Sequence, residues 1–283
     1  RDYVNSQRNS SLKPRKEMHN TTEGRGDSQK TCAVLVVSCD NYSDVWQPFF
    51  ELFKRFWGNC PYPVYLLTNH LRPQIEDVSI INVGDDISWS DNLIAGLQQI
   101  KEDYVFLFLE DLMLEGIVNS EKVKEVFDWT IVNQINYVRL NPSTKPDLPY
   151  NSTVGIVSKG TIYRASVVVC LWKKNVLSAL LKKGENAWEF EKYGSIRSDE
   201  YDGFYSTYHN YFPIINSIIK RVWETSAVNR LKRLNINLDF SKRRKMTFSE
   251  SLVWKFKLTR SLIFNLFPAK TRRYIKSLAQ GGK

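Results

Sequence analysis

The sequence lacks the patterns that mark several large classes of protein. It has no GxGxxG and no GxxxxGK[ST] pattern, which argues against a dinucleotide-binding fold and against a P-loop. Its four cysteines show no CxxC pair and no metal-ligand spacing, so buried thiols in a reducing compartment are favoured, with one disulfide as the alternative. No signal peptide is visible, and no apolar run is long enough to span a bilayer.

Basic charge is scarce in most of the chain and concentrated at its C-terminal end. Residues 241–283 hold 12 Lys/Arg and one acid, whereas residues 1–240 hold 28 Lys/Arg against 29 acids. An enzyme that acts on nucleic acid usually carries basic charge around its cleft. The nearly neutral body therefore predicts no nucleic-acid partner, and the basic end fits an anionic surface better.

The 283 residues divide into three parts by composition. Residues 1–30 are polar and predict a linker or a disordered extension. Residues 31–240 alternate buried-looking strands with amphipathic helices, a pattern that predicts an α/β domain with a mostly parallel sheet flanked by helices. The expected strands cover 33–37, 63–67, 78–83, 104–109 and 137–140, and the expected helices cover 45–56, 89–100 (with Ser90 or Asp91 as N-cap), 121–133 and 172–181.

The most informative feature is a strand that ends in two adjacent acids. The apolar run 104–109 is typical of a central strand covered on both faces, and Glu110 and Asp111 follow it directly. Ligands bind open α/β sheets at the carboxyl ends of the strands. Burying unpaired charge is costly, and a divalent cation that carries a diphosphate would remove that cost. The alternative is a solvated surface turn.

Two further clusters lie at predicted strand ends. Asp40, after the first strand, is placed to accept a hydrogen bond from a uracil or ribose group, or alternatively to cap the following helix. Asp86 precedes the second helix and Trp89 begins it, and the N-terminus of a helix attracts phosphate. Trp89 would then stack on a base or sugar, although a buried aromatic that anchors the helix is the commoner case.

A fourth cluster alternates acids with aromatics over residues 184–191 (GENAWEFE). Aromatic rings stack on sugars, and a nearby carboxylate can take a proton from a hydroxyl group. The alternative, which periodicity alone favours, is an ordinary amphipathic helix whose acids face water.

Taken together, these stretches resemble a bacterial glycosyltransferase of the GT-A type that acts in O-antigen or capsule assembly. The resemblance covers about residues 31–240, and some members of the family transfer galactofuranose. It rests on 34–42 (VLVVSCDNY), 46–50 (WQPFF), 63–69 (PVYLLTN), Trp89-Ser90, Leu109-Glu110-Asp111 and 184–191.

The resemblance implies a GT-A-like, Rossmann-type fold and a set of site residues. Mn²⁺ or Mg²⁺ would be bound at the strand-end acids, which read Glu-Asp rather than Asp-x-Asp and so leave Asp111 as the metal ligand. Glu185 matches the position of the catalytic base, with Glu189 as its rival. The donor, a nucleotide-diphosphate sugar and in our expectation UDP-linked, would contact Ser38, Asp40, Asn69, Asp86, Trp89, Ser90 and Glu110.

The C-terminal part, residues 241–283, predicts a basic amphipathic helix. Leu252, Phe256, Leu262, Ile263, Leu266 and Phe267 fall on one broad helical face, which Lys255, Lys257 and Arg260 flank. Such helices lie on anionic membrane surfaces. We therefore expect a cytoplasmic protein, peripheral at the inner face of the bacterial inner membrane, with a lipid-linked glycan acceptor. The alternatives are a helix packed on the body and, for the whole chain, a non-catalytic membrane-associated scaffold.

Overall fold

The computed structural model describes residues 30–142 and 145–267 together with residues 271, 274 and 275. The predicted linker over residues 1–30 lies outside the described residues except for Lys30, and so does most of the predicted tail beyond residue 267.

Thirteen strands are present in the described residues. They are β1 Cys32–Val37, β2 Val64–Thr68, β3 Val78–Asn82, β4 Tyr104–Leu109, β5 Leu112–Leu114, β6 Tyr137–Arg139, β7 Leu148–Pro149, β8 Val154–Ile156, β9 Cys170–Lys173, β10 Phe204–Thr207, β11 Ile214–Asn216, β12 Ile218–Ile219 and β13 Val222–Trp223.

Eight α-helical segments accompany them in the same part of the chain. They are α1 Ser43–Trp57, α2 Trp89–Leu97, α3 Ser120–Val132, α4 Lys174–Leu180, α5 Ala187–Glu189, α6 Ser195–Arg197, α7 Thr225–Arg233 and α8 Phe248–Leu266. A π-helical turn over Phe190–Gly194 joins α5 to α6.

Nine of the strands form one mixed sheet in the order β3-β2-β1-β4-β9-β6-β10-β8-β7. The run β3-β2-β1-β4 is parallel, and so is the β6–β10 pair, whereas β9, β8 and β7 pair antiparallel with their neighbours. The predicted α/β class, a large and mostly parallel sheet flanked by helices, is confirmed.

Both faces of the sheet are covered, as the apolar strands require. Alternate residues of β1 point to opposite faces, so Val34 and Val36 join a core with α1, α3 and α7, while Leu35 joins a second core with α2 and α4. Trp57 and Trp172 are fully buried anchors of the two cores. The central strands therefore have no solvated face, which explains their unbroken hydrophobic sequences.

Two local predictions were wrong. Trp172 was expected in a helix over 172–181, but it lies in β9, and α4 begins only at Lys174. Trp172 and Lys173 pair in the sheet because β9 lies between β4 and β6. The N-cap of α2 is Ser88, whose hydroxyl accepts from the Asp91 backbone N–H at 3.0 Å, rather than Ser90 or Asp91.

All four cysteines are free in the structure, and Cys32 and Cys170 are buried. Within the part of the chain that is described, no helix combines the length and hydropathy needed to cross a bilayer. The helix predicted for the C-terminal part is present as α8, which a capping box between Thr247 and Glu250 starts.

Candidate active site

A cavity of about 710 Å³ opens at the carboxyl ends of β1 and β4. β2 and β3 lie on one side of β1, and β4 lies on its other side. The strand order therefore reverses between β1 and β4, next to the cavity. Open α/β sheets bind their ligands at such a switch point. We call it the strand-end cavity; its lining comprises Val37, Ser38, Cys39, Asn41, Tyr42, Asp86, Trp89, Asn92, Leu109, Glu110, Asp111, Asn186, Ala187, Trp188, Arg221, Lys242 and Arg243.

The acid pair occupies the tight turn between β4 and β5 and lies in the wall of this cavity. Glu110 is buried, and the backbone carbonyl of Asp111 accepts from the backbone N–H of Ser217 at 2.8 Å and from its hydroxyl at 2.9 Å. This second contact fixes the turn against the β11–β12 connection. The two carboxylates are therefore held side by side on rigid backbone.

Burial dominates the electrostatics of the pair. It raises the pKa of Asp111 to about 7, against the opposing effects of its own backbone N–H and of Arg243. Burial and the adjacent Asp111 charge raise the pKa of Glu110 well above its usual range. Two carboxyl groups on adjacent residues that are largely shielded from solvent are costly to ionise together, so the pair favours a bound cation.

The pair fits a hard divalent cation that shares its ligands with a substrate. Within the described residues, no group of three or more His, Cys, Asp or Glu side chains is placed to hold a metal ion alone. Mg²⁺ takes one or two carboxylates and completes its shell with waters and substrate phosphates, and Mn²⁺ shares its preference for oxygen ligands. The donor set of Asp111 and Glu110 matches that chemistry.

A positively charged residue, Arg243, also lines the cavity and comes from a distant part of the sequence. Arg243 is buried and pairs with Asp44, its Nε lying 3.1 Å from a carboxylate oxygen. Its guanidinium also donates to the backbone carbonyls of Arg221, at 2.9 Å, and Asn41, at 3.1 Å, and lies 4.3 Å from the Tyr42 ring centroid. The cation is therefore fixed at the cavity wall.

Lys242 strengthens this cationic wall. Its ammonium donates to the Asp40 carbonyl at 2.9 Å and to the Ser43 hydroxyl at 2.7 Å. We expected both Lys242 and Arg243 only as part of a basic tail, and the structure instead places them against the body. Asn92 and Arg221 also line the cavity without having been predicted.

Five predicted site residues come together in the cavity lining: Ser38, Asp86, Trp89, Glu110 and Asp111. The hydroxyl of Ser38 accepts from Trp46 Nε1 at 2.7 Å, which fixes the end of β1 to α1. Asp86 accepts from the Asn92 amide at 2.7 Å. The ring of Trp89 lies 5.5 Å from that of Phe190, so it is anchored to the second core while it borders the cavity.

Cys39, which also lines the cavity, stays a neutral thiol. Burial, together with the charges of Asp86 and Glu110, raises the pKa of Cys39 to about 11. A thiolate would be needed for nucleophilic chemistry. The arrangement therefore gives no support to a covalent role for this cysteine.

Asp40 and Asn69 hold the loops behind the cavity together. The Asp40 carboxylate accepts backbone N–H groups from Asn69, His70 and Leu71 at 3.0 to 3.1 Å. The Asn69 side chain accepts from the Asp40 N–H and donates to the Gly84 carbonyl, both at 3.0 Å. Asp40 therefore clamps the loop after β2 rather than capping α1, and neither side chain is among the cavity-lining residues of the described chain.

The structure joins Ser90 to the 184–191 cluster. The buried Ser90 hydroxyl donates to the Glu185 carbonyl at 2.8 Å, and its backbone N–H donates to the same atom at 3.1 Å. This bond attaches the start of α2 to the segment that carries Asn186 and Trp188 to the cavity rim. The Ser90 hydroxyl therefore positions this segment, and Ser90 is not among the described residues that line the cavity.

The two candidate bases both have partners. The Glu185 carboxylate forms a fork with Arg197, with N–O distances of 2.8 and 2.6 Å. Glu189 closes the capping box of α5 by accepting from the Asn186 N–H at 2.9 Å. Both carboxylates flank Asn186, Ala187 and Trp188, which line the cavity, without being among its described lining residues.

Comparison with known proteins adds similarities of overall shape. No family model matches the chain. No protein in the curated collection matches it either.

Several solved structures do match. A crystal structure of S. aureus TarS 1–349 in complex with UDP matches with a TM-score of 0.45 and 10% identity, covering 65% of this chain and 59% of that one. A UTP-bound UGPase from Acinetobacter baumannii matches with a TM-score of 0.47 and 11% identity, over 81% of this chain and 99% of that one.

A more distant match is a Drosophila β-1,4-galactosyltransferase 7 in complex with manganese, UDP-Gal and xylobiose. Its TM-score is 0.34 and its identity 14%, over 64% of this chain and 71% of that one. All these TM-scores are below 0.5.

Proposed function

We propose that this chain is a glycosyltransferase that moves a sugar from a nucleotide-diphosphate sugar, UDP-linked, to a growing surface-polysaccharide acceptor. One observation carries the proposal. An acid pair, Glu110 buried and Asp111 half-buried, lines together with fixed cations a cavity of about 710 Å³ at the switch point of an α/β sheet. Its size suits a nucleotide-sized ligand, and its mixed charge suits a diphosphate bound together with a cation.

In this proposal the acidic residues would bind the metal ion and the basic residues would bind the diphosphate. Asp111, with Glu110 beside it, would hold Mn²⁺ or Mg²⁺, which supplies charge stabilisation to the leaving diphosphate. Arg243 and Lys242 would bind diphosphate oxygens from the cationic wall, and because Arg243 is already fixed by Asp44, little reorganisation is needed when the substrate arrives. Trp89 and Trp188 provide flat apolar faces for a base or sugar.

The proposed transfer inverts the anomeric centre. An acceptor hydroxyl attacks the anomeric carbon, the bond from that carbon to the diphosphate oxygen breaks, and the hydroxyl proton passes to a carboxylate base. Glu185 or Glu189 would be that base. Glu185 would first have to leave its fork with Arg197, and Glu189 its capping box.

A membrane-associated role for α8 forms part of the same proposal. Phe248, Leu252, Val253 and Phe256 on this helix are 81%, 51%, 57% and 73% exposed, and Lys255 and Lys257 lie among them. Exposed apolar side chains beside cations suit an anionic lipid surface. We accordingly propose a peripheral protein at the cytoplasmic face of a bacterial inner membrane.

Calorimetry with a panel of UDP- and GDP-sugars, including UDP-galactofuranose, in the presence of Mn²⁺ tests the proposal. We expect saturable heat with at least one donor and none with the same donor after Asp111→Ala. The rival hypothesis, a non-catalytic scaffold that kept the fold, predicts no heat with any donor and would then be preferred. Salt-dependent binding to nucleic acid that is lost on deleting residues 241–283 would instead support a nucleic-acid-binding protein.

A further inference from the structure

A second, smaller cavity lies between the β12–β13 hairpin and α8. It has a volume of about 270 Å³ and is lined by Ile219, Lys220, Val222, Met246, Ser249, Glu250, Val253, Trp254 and Lys257. We call it the hairpin groove. Pockets that enclose a whole drug-sized ligand run to roughly 300–1,000 Å³, so the groove suits one hydrocarbon segment whose head group stays outside.

The charges at this groove select for an anionic head. Glu250 is engaged by Arg244 through two bonds of 2.7 and 2.8 Å, and it also accepts from the Thr247 N–H. Lys220 and Lys257 are exposed, and within the described part of the chain neither forms an ion pair. An apolar floor with two free ammonium groups is complementary to a phosphate carried on a hydrocarbon chain.

The hairpin tip connects this groove to the strand-end cavity. Lys220 lines the groove, and the next residue, Arg221, lines the strand-end cavity. Both hold positive φ values, 50° and 66°, as the favoured two-residue hairpin turn requires of its central residues. Because consecutive Cα atoms are about 3.8 Å apart, the backbone of the hairpin tip borders both cavities.

Resting on the function proposed above, we propose that the hairpin groove binds the lipid carrier of the glycan acceptor. The hydrocarbon chain packs against Val222, Val253 and Trp254, and the carrier phosphate pairs with Lys220 and Lys257. The glycan then extends past Arg221 into the strand-end cavity.

Calorimetry on the full chain with decyl phosphate, used below its micellar concentration, tests the assignment. We expect saturable binding that is at least tenfold tighter than that of decanol or inorganic phosphate alone. Val253→Gln and Lys257→Gln should each weaken it about fivefold or more. Phe256→Gln alters an exposed apolar side chain of the same helix outside the groove lining and should leave the affinity within about twofold.

Three results would overturn the assignment. The first is no saturable binding of decyl phosphate, and the second is equal weakening by Phe256→Gln, which indicates adsorption along the helix. The third is tighter binding of lysophosphatidylglycerol, which assigns the groove to bilayer lipid. Donor calorimetry on Val253→Gln keeps the two proposals distinguishable. Donor heat that is unchanged while decyl phosphate binding is lost supports both. Donor heat absent from every protein refutes the transferase and with it the acceptor carrier as occupant, whereas loss of decyl phosphate binding alone refutes only the groove assignment.

Discussion

The acidic and cationic walls of the strand-end cavity have different origins. Glu110 and Asp111 directly follow the central strand β4, so their place is fixed by local sequence. Arg243 and Lys242 arrive from some 130 residues later, held by side-chain bonds to Asp44, Ser43 and backbone carbonyls. The sheet therefore supplies the acids, whereas the packing of the C-terminal segment supplies the countercharge.

The largest effect should follow removal of the acidic wall. Asp111→Ala should lower donor turnover a thousandfold or more, since a charge-stabilising group at a reacting phosphate contributes several kcal/mol. The control is Asp128→Ala, an exposed acid on α3, and circular dichroism would verify that both variants fold. Full turnover by Asp111→Ala, with and without chelator, would remove the metal role.

Breaking the cationic wall should cost stability as well as affinity. In Arg243→Ala, Asp44 is left charged and unpaired at 2% side-chain exposure, which should lower the free energy of unfolding by about 3 kcal/mol. Arg244→Ala is the matched control, because its pair with Glu250 is exposed and a surface ion pair contributes little to stability. Equal denaturant midpoints for wild type and Arg243→Ala would contradict the buried pair.

The acidic wall should also leave a signature in the pH dependence of the metal-free protein. The folded-state pKa of Asp111 is raised to about 7, from about 3.9 in an unfolded chain, so between these values the folded state binds more protons. Its contribution to stability is therefore complete at low pH and lost as the pH rises through about 7.

Urea unfolding in EDTA at pH 5 and pH 8 measures this effect. The loss of stability on going to pH 8 should be smaller in Asp111→Asn than in the wild type, because the variant cannot ionise there. Identical pH dependence in the two proteins would show that Asp111 is not buried as described.

The smallest expected effect concerns the cavity rim. Trp188 is 77% exposed yet lines the strand-end cavity, so Trp188→Ala should weaken saturation by substrate several-fold without changing thermal stability. Ile196→Ala, at 65% exposure on the same helical segment, is the control. A similar kinetic change in both variants would argue against a role for the Trp188 ring in binding.

The sequence predicted the parallel half of the sheet well, because β1 and β4 are continuous apolar runs and because helices separate β1 from β2 and β3 from β4. It misplaced Trp172 because a short strand followed at once by a helix has no clear period of its own. Such a boundary is decided by the neighbouring strands.

Within the site, the acids and aromatics at strand ends could be predicted, whereas Arg243 could not. The cluster 242–245 carries a visible basic signal, but composition alone assigns it to a basic tail that meets an anionic surface. Only the long-range contacts to Asp44 and Asn41 reveal that it folds onto the body. Likewise, no local sequence pattern shows that Ser90 and Asn69 hold neighbouring backbone segments in place instead of contacting a ligand.

A crystal structure of the protein with Mn²⁺ and the UDP-sugar that gives heat in calorimetry would test the central claim most directly. We predict that the metal is bound by Asp111 and that the diphosphate lies between it and Arg243. A metal and a diphosphate bound together elsewhere on the molecule, with the strand-end cavity free of both, would contradict the account.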